Sequence, residues 1–67
     1  MNNNTTIEDI TKDMMMSYME LQYSGTVNMI DYIKVEAYTG LTEEEIRTIQ
    51  ENFRELKEKY FPYGFSM

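Results

Sequence analysis

The sequence contains no cysteine, no histidine and no tryptophan among its 67 residues. Without cysteine no disulfide can stabilise the fold, and without cysteine or histidine the usual structural zinc sites are excluded. The same absences exclude catalysis by a histidine base or a cysteine nucleophile. A chain without cysteine is also compatible with the reducing cytoplasm.

Cations and long apolar runs are scarce as well. Six Lys and Arg stand against twelve Asp and Glu, which gives a formal net charge of -6. Because sequence-independent binding to nucleic acid depends on Lys and Arg, this balance argues against direct nucleic-acid binding. No apolar run approaches the roughly 18 residues that a membrane-spanning helix needs, and residues 1–6 lack the features of a secretory signal. We therefore expect a cytoplasmic protein with no membrane partner.

The short length limits how the fold can be stabilised. The hydrophobic fraction of 42% is too high for a typical disordered chain. Below about 70–80 residues, however, a single core rarely supplies more than about 3–5 kcal/mol. With disulfides and zinc excluded, close helix packing and self-association remain. We expect one helical domain over residues 1–67 that assembles as a homo-oligomer, a dimer or a larger symmetric ring.

The first predicted helix covers residues 6–24, behind a frayed terminus at residues 1–4. Apolar residues recur at spacings of three and four, which is typical of one helical face. This face carries Ile7, Ile10, Met14, Tyr18 and Leu21. Thr5 or Thr6 is expected to cap the helix, and Gly25 to end it in the left-handed conformation.

A second, shorter helix is predicted over residues 29–38. Asn28 is expected to be its N-cap and Gly40 its stop. Three β-branched residues weaken the prediction and leave a strand over the same range as the alternative. They are Ile30, Ile33 and Val35.

The third predicted helix covers residues 43–60 and has the clearest pattern. Thr42 and Glu45 are spaced as a capping box, and Pro62 prevents the helix from continuing. The tail at residues 61–67 keeps aromatic side chains and is expected to fold back or to dock on a neighbour. The predicted fold class is therefore all-α, with three helices at about 6–24, 29–38 and 43–60.

Helices 1 and 2 each carry a second apolar stripe, although two other helices cannot bury a helix on every side. We expect these second stripes to form the oligomer interface; a foreign partner or half-exposed side chains are the alternatives. The predicted interface residues are Met15, Met16, Met19, Tyr23, Tyr32, Val35 and Tyr38.

No pattern in the sequence indicates catalysis, a cofactor or a metal site. The run from Glu43 to Glu45 is explained by its place at the positive end of a helix dipole, and no phosphate-binding or calcium-binding loop is present. The segment from Ala37 to Ile49 resembles the turn and second helix of a helix-turn-helix. Its would-be reading helix opens with the three glutamates, which would repel DNA phosphates. We expect a non-enzymatic protein.

The segment Ser24-Gly25-Thr26-Val27-Asn28-Met29 resembles a Ser-Gly-x-x-Asn-Met pattern in small bacteriophage-encoded helical proteins of unknown function. In one such group a third amphipathic helix follows a Gly-Leu step, as at Gly40-Leu41 here. The resemblance covers roughly residues 14–56. It implies a phage origin, and hence the cytoplasm of an infected bacterium, for a small helical accessory protein.

Two functional hypotheses follow. In the first, the protein binds and occupies a host protein, such as a component of antiviral defence. In the second, it is an oligomeric sponge that encloses a nucleotide signal between subunits, with tyrosines stacking on bases and cations pairing phosphates. The predicted ligand-binding residues are Ser24, Thr26, Asn28, Lys34 and Arg47.

Overall fold

The computed structural model describes residues 5–64, and all regular structure within them is helical. A 3₁₀ helix (Ile7–Asp9) precedes four α-helices: α1 (Lys12–Ser24), α2 (Tyr32–Thr39), α3 (Glu43–Glu51) and α4 (Phe53–Tyr60). The predicted all-α class is confirmed, and the alternative of a strand in the second segment is wrong. The predicted frayed residues 1–4 and the last part of the tail, residues 65–67, lie outside the described residues.

The predicted first helix is wrong at its start, because the chain is extended at Ile10 between the 3₁₀ helix and α1. Thr11, rather than Thr5 or Thr6, is the N-cap of α1, and its hydroxyl oxygen accepts from the backbone N–H of Met14 at 3.2 Å. Thr6 instead donates its backbone N–H to the Asp9 carboxylate at 2.9 Å. The interruption turns the Ile10 side chain into the core, where it is fully buried.

The second helix begins three residues later than predicted, and Asp31 rather than Asn28 is its N-cap. The Asp31 carboxylate accepts from the backbone N–H of Lys34 at 3.3 Å. Asn28 closes the preceding turn, in which its side-chain oxygen accepts from the backbone N–H of Ile30 at 3.0 Å. The predicted glycine stops are confirmed: Gly25 and Gly40 end α1 and α2 with φ of 69° and 77°.

The predicted capping box is confirmed at the start of α3. The Thr42 backbone N–H donates to the Glu45 carboxylate at 2.9 Å, and the Glu45 backbone N–H donates to the Thr42 hydroxyl at 3.2 Å. Together the two bonds satisfy N–H groups that a helix start otherwise leaves unpaired.

The predicted third helix is divided at Asn52, so the expectation of three helices is wrong. Asn52 leaves the helical conformation, with φ -125° and ψ 31°. Its side-chain N–H donates to the Thr48 carbonyl at 2.9 Å, and that carbonyl also accepts from the Asn52 backbone N–H at 3.1 Å. A side chain that shares a helical carbonyl in this way loosens the hydrogen-bond ladder and bends the helix. The helical region still ends at Tyr60, before Pro62, as predicted.

The first α-helix, α1, contacts both α2 and α4, and α3 also contacts both. The Tyr18 and Phe53 rings meet where α1 contacts α4, with centroids 6.2 Å apart and planes tilted by 56°. The start of the tail packs against the core. Phe61 is half-buried there, and its ring centroid lies 5.5 Å from the Lys12 ammonium. The buried apolar core consists of Ile10, Met15, Tyr18, Met19, Leu21, Val35, Leu41, Ile46, Ile49 and Leu56.

The side-chain amide of Gln50 on α3 forms the polar centre of this packing. Its nitrogen donates to the Tyr18 hydroxyl at 3.1 Å and to the Met29 carbonyl at 3.0 Å. Its oxygen accepts from the Tyr32 hydroxyl at 2.8 Å. One amide therefore joins α1, α2 and the turn before α2 to α3. Within residues 5–64, no buried side-chain nitrogen or oxygen is left without a partner.

Replacing Gln50 with alanine should lower the free energy of unfolding by about 1–3 kcal/mol, because two tyrosine hydroxyls and a carbonyl lose a partner. Urea denaturation followed by circular dichroism measures the change. Gln22→Ala is the matched control, since Gln22 is exposed on α1. Equal stabilities for the two variants would contradict this role of Gln50.

Burial raises the pKa of the Tyr18 hydroxyl above its ordinary value of 10.0; the hydrogen bond from Gln50 opposes the shift and nearby Tyr32 adds to it. The unfolded chain ionises this hydroxyl at lower pH than the folded chain does. Ionisation of Tyr18 therefore causes no loss of stability below about pH 10. As the pH rises further, stability is lost. Thermal denaturation between about pH 8 and pH 11 should show a smaller alkaline loss for Tyr18→Phe than for Tyr63→Phe, since Tyr63 is fully exposed.

Candidate binding surface

The predicted interface on helix 1 is wrong for Met15 and Met19, which are both fully buried within the chain itself. At about 100° per residue, the buried side chains of α1 from Leu21 round to Met19 span an arc of about 160°. This arc takes in the part of the first predicted stripe that lies on α1 and two of the four residues of the second, and α1 contacts both α2 and α4. Only Met16, half-buried, and Tyr23, 49% exposed, remain at its edge.

Two of the three interface residues predicted on helix 2 do not lie on its exposed side. Val35 is fully buried, and Tyr32 is half-buried with its hydroxyl bonded to Gln50. Ile33, on another side of α2, is 80% exposed. Tyr38, 61% exposed, is the one predicted interface residue of α2 that is exposed to solvent.

We define the α2 outer face by its exposed side chains: Ile30, Ile33, Lys34, Ala37 and Tyr38. Ile33 and Ala37 are one helical turn apart, and Ile30, 78% exposed, directly precedes the N-cap. Contiguous apolar side chains with a charged residue beside them are typical of a protein-binding surface. Sequence reasoning missed the exposure of Ile30 and Ile33, because two apolar faces of one helix look alike in a periodicity pattern.

The predicted ligand-binding residues around the first turn are occupied by local hydrogen bonds. The Ser24 hydroxyl donates to the Leu21 carbonyl at 2.7 Å and to the Thr26 hydroxyl at 2.9 Å. The Asn28 side chain accepts from Ile30. These bonds end α1 and shape the turn before α2, so the segment from Ser24 to Met29 serves to connect the two helices.

The two predicted phosphate-pairing cations lie on different helices. Lys34 is exposed on α2, whereas Arg47 on α3 forms an exposed ion pair with Glu43 at 3.0 Å. No hydrogen bond or ion pair within residues 5–64 links either cation to Ser24, Thr26 or Asn28. The predicted ligand set is therefore not gathered into one site in the single chain.

A shallow depression of about 310 Å³ lies where α3 gives way to α4. It is lined by Glu51, Asn52, Phe53, Arg54, Glu55 and Glu58. All six lie within residues 51–58, at and just after the bend, and no other helix contributes to the lining. A ligand pocket normally buries most of its ligand between elements, and this one does not. Over residues 5–64 no group of three or more carboxylates is arranged to hold a metal ion.

Comparisons with known proteins do not place this chain in a family. No family model, no curated protein and no solved structure matches this chain. Among the described helices, none is long and apolar enough to cross a membrane. The function is therefore inferred from the surface itself.

Met19→Ala should cost about 2–5 kcal/mol of unfolding free energy, because it leaves a cavity between α1 and its neighbours. In a domain of this size that loss is enough to unfold most of the molecules at room temperature. Met16→Ala on the edge of α1 is the matched control and should cost clearly less. Circular dichroism with thermal denaturation distinguishes them; a folded Met19→Ala variant with altered assembly would instead support the original interface prediction.

Proposed function

We propose that this protein is a non-enzymatic binding protein that contacts another protein chain through the α2 outer face. The exposure of Ile30 and Ile33 carries the proposal. They are the two exposed branched aliphatic residues among residues 5–64, whereas most other Leu, Ile and Val side chains are buried in the core. Fully burying such a side chain is worth about 1.5–3 kcal/mol, so a partner that covers both gains substantial binding free energy.

The rest of the chain supports binding rather than catalysis. The composition supplies no histidine or cysteine, and the described acidic side chains are on the outside of the helices or in caps. The depression at the bend is open to solvent and is not enclosed by a second element. Catalysis by carboxylates needs them held in a partly desolvated pocket that shifts their proton affinity, and the open depression does not provide one.

The proposed setting is the cytoplasm of a phage-infected bacterium, with a host protein such as a defence component as partner. This setting rests on the resemblance of the segment from Ser24 to Met29 to small phage proteins. The structure supports a structural reading of that segment, since Gly25 ends α1 and Asn28 shapes the next turn. No observation favours the nucleotide sponge, because the tentative ligand groups are separated or locally bonded.

Affinity capture with tagged protein as bait in host lysate tests the proposal. Ile33→Glu should reduce the capture of a specific partner at least tenfold, because burying an unpaired carboxylate in an apolar contact is costly. Gln22→Glu introduces the same charge at an exposed position of α1 and should leave capture unchanged. Circular dichroism checks that both variants are folded. Equal capture by the two variants, or release of a nucleotide from the purified protein with no protein partner, would contradict the proposal.

A further inference from the structure

We propose that residues 5–10, here called the strap, open and close on the folded α-helices as a separate unit. The strap contains the 3₁₀ helix (Ile7–Asp9) and ends at Ile10, where the chain is extended before α1 begins. When the strap opens, the place that Ile10 fills in the core becomes accessible while the four α-helices stay packed. The strap shares no residue with the α2 outer face, so this proposal is independent of the proposed function.

The packing of the α-helices depends little on the strap. Within residues 5–64, the extensive contacts between elements join α1 to α2 and α4, and α3 to the same two helices. The 3₁₀ helix takes part in none of these contacts, and no residue of it is fully buried. A segment with few buried apolar side chains opens at a lower free energy than the core around it.

Most hydrogen bonds of the strap are formed within the strap itself. The Thr6 backbone N–H donates to the Asp9 carboxylate at 2.9 Å, and the Asp9 backbone N–H donates to the Thr6 carbonyl at 3.0 Å. The Ile10 backbone N–H donates to the Ile7 carbonyl at 3.1 Å. Opening breaks none of these bonds, so the strap can move as a formed turn.

The strap is attached to the α-helices by one fully buried side chain and by two hydroxyl groups. The buried side chain is that of Ile10. The Tyr60 hydroxyl, at the end of α4, donates to the Ile10 carbonyl at 2.6 Å. At the other end of the strap, the Thr48 hydroxyl lies 3.1 Å from the Thr5 carbonyl.

The Thr48 hydroxyl can release the strap without losing a hydrogen-bond partner. Its oxygen also lies 2.8 Å from the Glu44 carbonyl in its own helix. A hydroxyl has one proton to donate, so the Glu44 carbonyl can take it when the Thr5 carbonyl moves away into water. The restraints that remain are Ile10 and Tyr60, next to the extended backbone at Thr11 on which the strap pivots.

Thiol labelling tests the proposal, because an introduced cysteine is the only thiol in the chain. Ile10→Cys should react with iodoacetamide at least about tenfold faster than Val35→Cys, the matched control at a fully buried position of α2. Low urea concentrations should hardly change the rate for Ile10→Cys, since strap opening exposes little surface, and should raise the rate for Val35→Cys. Equal rates with the same urea dependence would overturn the proposal.

Tyr60→Phe keeps the ring and removes the hydrogen bond to the Ile10 carbonyl. In the Ile10→Cys variant it should speed labelling roughly threefold to tenfold, whereas Tyr38→Phe, at an exposed position of α2, should have no effect. In the Val35→Cys variant Tyr60→Phe should change the rate clearly less. An equal rise in both cysteine variants would show that Tyr60 stabilises the fold as a whole, and the separate strap would be refuted.

Substitution of Ile10 by alanine provides a second test that needs no labelling. Because the strap can open, the loss of helix stability in Ile10→Ala is limited to the free energy that keeps the strap closed. Circular dichroism should therefore find Ile10→Ala still helical and Ile46→Ala, at a fully buried position of α3, largely unfolded. If Ile10→Ala unfolds as far as Ile46→Ala, the strap belongs to the cooperative core and the proposal is wrong.

Discussion

The buried side chains of α1 form the part of the core on which the rest of the structure depends, and α1 contacts both α2 and α4. Met15 and Met19 are fully buried, and Tyr18 meets the Phe53 ring of α4. Methionine suits such a position because its unbranched, flexible side chain fills irregular space between helices. A chain without disulfides thus obtains its core by burying nearly half of the circumference of one helix.

The orientation of α2 follows from this packing and from Gln50. The Tyr32 hydroxyl reaches the Gln50 amide only when the face that contains Tyr32 and Val35 points inward. That orientation necessarily turns Ile33 and Ala37 outward. The polar centre of the fold and its exposed apolar surface are therefore two consequences of the same rotation of α2.

This arrangement determines which of the apolar residues that the sequence left unassigned are buried and which are exposed. Met15 and Met19 of α1 belong to the core of the single chain, whereas the exposed branched aliphatic residues Ile30 and Ile33 lie just before and on α2. Most acidic residues are exposed or cap helices, Glu36 on α2 is half-buried, and Lys34 on α2 is exposed. The exposed apolar side chains of α2 are compatible with contact to a second protein.

Local signals in the sequence were sufficient for the all-α class, the glycine stops at Gly25 and Gly40, the capping box at Thr42 and the end of the last helix at Tyr60. These features depend on neighbouring residues and on intrinsic backbone preferences, which the sequence states directly. The break at Asn52 was missed because an asparagine within a helical pattern does not reveal which carbonyl its side chain will take. The start of α2 was misplaced because Asn28 and Asp31 are both good caps, and the turn geometry selects between them. Which apolar face is buried was decided only in the tertiary structure, since helices with two apolar faces can pack either way until their neighbours and a buried polar partner such as Gln50 fix the rotation.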